Sequence, residues 1–407
     1  MQTRQVGSID DMLLEIMRYI NTNPESKNNS LVAELGDIFY EKQDVDVAMK
    51  RLSKDLAEAS KVMPANEARY IVDLYYILQK NRIRINNELS QIRKEGVEPN
   101  FFLSYFYSVF QTLENRVKAG LGHYAANNAL GRWCLAQVGL GPVITAGFLA
   151  HIDITRCPTA GKLWSFGGIN PQAIWLGAEK AREMVNDVVG KRRDITYEDV
   201  VECAARAHRN PELLRKLASN NEEETLKKAD LIAALAKRPW NATLKTLAVF
   251  KMGESFVKTQ NRDDAFYGQL FVERKKIEWM KNRPAGHYPK GRAKVIKEGE
   301  VVNIPPPDDL DTPGAFADQA AAILASKNIG KDTEAYQWYS RGMLPPAHIH
   351  ARARRYAVHI FLSHYHYVAY KLHYKCEPPK PFVEVFLNHT SILIPPHLEV
   401  AGIEWRK

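Results

Sequence analysis

The stretch LAQVGLGPVITAGFLAHI, residues 135–152, decides how this chain is read. One helix runs out at Gly139, a turn Val138-Gly139-Leu140-Gly141-Pro142 follows, and a second helix begins with Pro142 in its first turn, where no backbone N–H is needed. Ala146 and Gly147 leave room for close packing on that second helix. Apolar-Gly-apolar-Gly followed by small residues is the helix-hairpin-helix pattern. Two glycines allow the backbone to approach a phosphate, and the free N–H groups and positive dipole end of the second helix can bind it. Such a contact follows backbone shape and is blind to base sequence. Gly139, Gly141 and Pro142 are therefore expected to hold nucleic-acid backbone.

Outward from this motif the text is helical. Runs such as IDDMLLEIMRYI, VDVAMKRLSKDLAEA and EARYIVDLYYILQKNRIRINNELSQIRK carry helical periodicity through the first 120 residues, and no alternating strand pattern interrupts them. Residues 100–113 (NFFLSYFYSVFQTL) read as an aromatic helix that buries itself against its neighbours. Residues 125–250 are also mainly helical, and residues 299–314 (GEVVNIPPPDDLDTPG) read as a linker. A helix at about 315–327 and a long basic one at about 347–375 complete the chain. The expected fold is mainly α. It comprises an N-terminal helical bundle (1–124), a helix-hairpin-helix domain (125–298), a linker with a connecting helix (299–345), and a basic Tyr/His-rich helix and tail (346–407).

The charge is unevenly placed. Lys and Arg number 56 against 47 Asp and Glu, a net +9; residues 1–130 carry 16 basic and 17 acidic side chains, so the whole excess lies beyond them. Lys162, Lys191, Arg192 and Arg193 are scattered members of it, and Arg274, Lys275, Lys276, Lys290 and Arg292 belong to a cluster at 274–297. Residues 341–376 hold six Lys/Arg (Arg352, Arg354 and Arg355 among them), six His, five Tyr and no acid. Cations neutralise phosphates while Tyr and His rings stack on bases or sugars, so this stretch suits nucleic acid. It suits equally a partly buried helix whose rings pack inward. If about six phosphates were neutralised, log K would fall with log salt at a slope near −5.

Other classes are excluded or left without a signal. With 45% hydrophobic and 25% charged residues the composition is that of a globular protein. The apolar run from Val138 to Ala150 is too short for a membrane span, and the opening MQTRQVGSIDDMLLEI lacks the pattern of a leader, so a cytoplasmic protein without membrane contact is expected. Cys134, Cys157, Cys203 and Cys376 are too dispersed for a disulfide framework or a CxxC site. His359, His366 and His373 recur every seven residues, a seam rather than the i, i+4 pairs of a zinc site, and no metal ligands or cofactor are assigned.

Continuing from the hairpin, VGLGPVITAGFLAHIDITRCPTAGKLWSFGGINP resembles the C-terminal domain of insertion-sequence transposases that join a RuvC-like DEDD nuclease to a helix-hairpin-helix serine domain. The corresponding elements are Gly139 and Gly141, then Asp153, the small-residue helix at 159–164, and Gly168-Ile169-Asn170-Pro171. The resemblance implies DNA binding and a link to transposition and recombination. Two departures weigh against the family's chemistry. Leu176 stands where the family places its serine nucleophile, and the first 120 residues show no strands for a RuvC-like domain. Ser165 and Ser255 are the serines that could replace the nucleophile, each requiring a positioned base. The reading is a DNA-binding protein without its own strand-transfer chemistry, self-associating through its N-terminal helices. Two alternatives stay open: an active recombinase using one of those serines or a partner's Mg-dependent nuclease, and an interaction protein that binds RNA or an acidic partner.

Overall fold

The computed structural model describes residues 54–170, 175–219, 227–282, 315–379 and 393–405. Expectations for the helix at 9–20, Pro171, Lys290, Arg292 and the linker at 299–314 lie outside the described residues. The fold is mainly α. Among the described residues no strand forms, and one isolated bridge joins Asp194 to Lys227. None of the described helices is long and apolar enough to cross a membrane.

The described chain divides into two compact units, residues 54–63 with 70–123 and residues 64–69 with 124–405. In the first, α1 (Lys54–Lys61) precedes two long helices, α2 (Ala65–Lys94) and α3 (Phe101–Ala126). The short connection at 95–100 turns α3 back along α2, where Val72, Tyr75, Leu78 and Leu89 are buried. Arg82 on α2 donates to Glu114 on α3 at 2.5 Å, tying the two helices midway. The aromatic run of α3 departs from expectation: Phe101, Phe102, Tyr105 and Phe106 are exposed, Phe102 at 69%. At 100° per residue those four rings share one side of the helix, the side left uncovered.

The second unit begins with α4 (Ala129–Ala136) and α5 (Pro142–His151), the two helices flanking the glycine turn, followed by a short 3-10 turn and α6 (Ala160–Phe166). A small helical module comes next: α7 (Gly177–Val189), α8 (Tyr197–Arg206), α9 (Pro211–Ala218) and α10 (Lys228–Ala236). Ala181, Val185, Val200, Cys203, Leu214, Leu231 and Leu235 form its own core. Thr196 and Asp199 close a reciprocal cap at the start of α8, the side-chain signal that fixes where that helix begins. Then α11 (Ala242–Lys245) passes through a π-helical turn (Thr246–Met252) into α12 (Gly253–Lys258), and α13 (Phe266–Lys281), α14 (Ala317–Ser326), α15 (Glu334–Ser340) and α16 (Pro346–Tyr374) follow.

The stretch expected to stand apart as a basic helix and tail, residues 346–407, instead supplies the centre of this unit. α16 lies along α13 and touches α4, α6, α12 and the π-helical turn. Phe361 stacks on Trp133 with ring centroids 5.7 Å apart and meets Phe148, Phe256 and Tyr267 at 5.3 to 6.0 Å, so one ring joins four other helices. Of the two readings of the acid-free stretch, inward packing of its rings therefore describes most of it: His364, Tyr365, His366 and Tyr367 are all buried. A satellite core of Phe316, Leu344 and Ile349 lies at the other end, closed by buried Asn282, which both donates to and accepts from the Leu344 backbone at 2.9 and 2.8 Å.

Candidate nucleic-acid interface

Three cations gather where α6, α11 and α16 meet. Arg209 starts the arrangement by donating to the carbonyls of Ala234, Leu235 and Lys237, which closes the end of α10 and sets where Arg238 leaves it. The Trp175 indole N–H donates to Ala236 at 2.8 Å, and the Arg238 guanidinium lies over the Trp175 ring at 4.6 Å from its centroid. Asn241 caps α11 and places Lys245, whose ammonium sits 4.1 Å from the centroid of Trp240. Trp240 rests on Gly168: with φ at +65°, a side-chain carbon there would lie 2.5 Å from the indole, so the close approach requires glycine.

Arg355, one turn before His359 on α16, completes the group. Burial lowers the pKa of Lys245, and Arg355 and Arg238 lower it further, so Lys245 sits within reach of both positive charges; Arg355 in turn feels Arg352 and the Glu278 carboxylate. Among the described residues none of the three pairs with an acid. His359 stacks on Trp164 at 4.8 Å and donates through Nε2 to Ile169 O at 3.0 Å. The Trp164 Nε1–H is buried and meets no acceptor among the described residues. Cations without an ion pair, held beside indole rings, form a site that would gain from an anion.

The residues singled out from the sequence divide sharply. Arg274 and Arg352 both ion-pair with Glu278, a carboxylate only 1% exposed, at 2.6 Å each, and stack on Tyr356 and Phe316. Arg354 pairs with Glu254, and Arg192 with Asp199. Those four arginines, expected as phosphate contacts, are each engaged in an ion pair within the fold. Lys275 and Lys276 are half-buried on α13. Lys162, Lys191 and Arg193 are exposed, but Lys191 and Arg193 lie by the start of α10, which at nine residues carries them ~13 Å from the cluster at its far end.

The glycine turn lies apart as well. His151, the last residue of α5, reaches Asn241 beside Trp240, whereas Gly141 caps the opposite end of the helix, ~15 Å away. Gly139 has φ of +98°, and a Cβ on it would lie 3.1 Å from Phe256 and 3.3 Å from Thr259. The first glycine thus serves contact with α12, while Gly141 faces open space. Gly139→Ala is expected to lower unfolding free energy by about 1 to 2 kcal/mol in urea titration, through the left-handed backbone alone. In variants that remain folded, nucleic-acid affinity should stay within twofold; a larger loss would return the hairpin to the interface.

The nucleophile candidates have plain structural roles. Ser165 donates to Gly161 O and accepts from Asn170, both at 3.0 Å, and no base among the described residues hydrogen-bonds to it. Ser255 is half-buried on α12. Leu176, at the family's serine position, packs against the core of the α7–α10 module. The histidines of α16 are used within the fold: His364 bridges Tyr267 and Leu393 O, both at 2.9 Å, and His366 donates to Cys157 O at 2.8 Å. Sequence reading missed Arg238, Lys245, Trp175 and Trp240. The signal was KRPWNATLK at 237–245, but its meeting with Arg355, more than a hundred residues later, leaves no trace in spacing. No protein-family model, curated protein or solved structure matches the chain.

Proposed function

We propose that this protein binds nucleic acid, DNA in the first instance, through Arg238, Lys245 and Arg355 and the indoles beside them. One observation carries the reading: Arg238 and Arg355 both lie close enough to Lys245 to lower its pKa, and none of the three forms an ion pair among the described residues, in a chain whose net charge is +9. The resemblance of residues 135–177 to the helix-hairpin-helix domain of serine-type insertion-sequence transposases supports it, because the Gly168 element of that resemblance forms the seat of Trp240. Leu176 in the place of the family's serine argues for binding without strand transfer by this chain's own residues.

The test is fluorescence anisotropy with duplex, four-way junction, single-stranded DNA and RNA at low and physiological salt, alongside a magnesium-dependent cleavage assay. With three phosphates neutralised, log K against log salt should slope at about −2.7, not the −5 of the full sequence-based set. Replacing Arg238, Lys245 and Arg355 together by Ala should remove that slope and weaken binding roughly 100-fold at physiological salt. Affinity that ignores salt, or a triple variant that binds as before, would overturn the proposal. Cleavage would instead establish the recombinase reading.

A further inference from the structure

Building on that reading, we propose that the cluster takes an unpaired stretch of nucleic acid, one unstacked base lying on Trp175 with its phosphates against Lys245 and Arg355. The argument begins with Trp175, which is 47% exposed although its N–H is fixed to Ala236 O. A tryptophan held at its edge and covered on the ring by Arg238 at 4.6 Å has lost its rotational freedom before any ligand arrives. Such a ring offers a rigid stacking surface, and stacking on an aromatic side chain requires a base freed from its own helix.

Cation placement points the same way. Arg238 and Lys245 belong to one short segment, and each lies over an indole rather than reaching outward, so charge and ring are presented at the same spot. Duplex phosphates line the outside of a helix whose bases are inaccessible to such a pair, whereas a single strand can offer base and phosphate together. A sequence-tolerant contact follows, because every base has a π-face.

The experiment uses the full chain with fluorescein-labelled oligothymidylate, oligouridylate and a hairpin-capped duplex of equal charge, at physiological salt. Oligothymidylate or oligouridylate is expected to bind about tenfold more tightly than the duplex, the worth of one stacked base. Trp175→Ala should remove that preference, weakening single-strand binding about tenfold more than duplex binding, and Trp175→Phe should restore most of it. Being half exposed, Trp175 can be replaced without emptying the core, and circular dichroism checks that each variant is folded. A duplex bound as tightly as the single strands, or a Trp175→Ala variant that keeps the preference, would overturn this inference and leave nucleic-acid binding standing. Absence of binding to all three would overturn both. Oligouridylate against oligothymidylate then tells whether a 2′-hydroxyl is favoured.

Discussion

Phe361→Ala is expected to lower the free energy of unfolding by about 4 kcal/mol, read as a shift of the urea midpoint at unchanged slope. Phe361 is fully buried, and its ring is in contact with Trp133, Phe148, Phe256, Tyr267 and Tyr365. Those partners come from α4, α5, α12, α13 and α16 itself, so truncation leaves a void that none can fill alone without withdrawing from another neighbour. Relaxation is therefore limited, and the cost lies toward the upper part of the range for such changes. Phe361→Leu, which retains most of the volume, should cost under half as much. Equal losses for both substitutions, or a loss near 1 kcal/mol for alanine, would show that the site is not the centre of the packing.

Acid should destabilise the second unit well above the pH at which carboxylates titrate. His364 is buried, and burial pushes its pKa down from 6.5 to about 4 despite the hydrogen bond to Leu393 O. A carbonyl can only accept, so Nε2 carries the proton and Nδ1 accepts from the Tyr267 hydroxyl; a second proton would place a charge in a buried site and oblige that hydroxyl to turn and accept instead. Above pH 6.5 the folded and unfolded chains are both neutral here, and the group contributes nothing to pH dependence. Between 6.5 and about 4 the unfolded chain takes up a proton that the folded one refuses, and stability falls as the pH falls. This histidine alone accounts for about 3 kcal/mol over that window. Burial lowers His348, His350, His359 and His366 as well, and these act in the same direction. Urea titrations at about pH 7.5 and about pH 5 should differ accordingly, and His364→Gln should flatten the difference. An unchanged midpoint between the two would contradict the neutral, doubly bonded ring.

The elements themselves were legible. Helical periodicity, the proline at the start of α5 and the break at Gly139 place α4 and α5, and the long acid-free stretch places α16 nearly to its ends. Partners were not. An isolated helix does not state which of its sides is covered, so the α3 aromatics read as core although most of their rings face solvent. Arginine presents the same difficulty. Arg274 and Arg352 look like a positive surface until Glu278, four residues from one and distant from the other, is seen between them. A cation's worth to a ligand depends on the acids that fold against it, and those are set by tertiary packing.

The position of α16 also governs the order in which the molecule can assemble. Helices α4 and α5 emerge from the ribosome more than two hundred residues before the helix that fills the space between them and α13. Until residue 374 has been made, Trp133, Phe148, Phe256 and Tyr267 have no common partner, and the nascent second unit exposes a line of large rings. Its core can close only after most of the chain has been synthesised, through contacts of long sequence separation, the kind that slows folding and invites association meanwhile. Chains cut short before residue 346 would lack the central helix of the second unit altogether and would be candidates for chaperone capture and degradation.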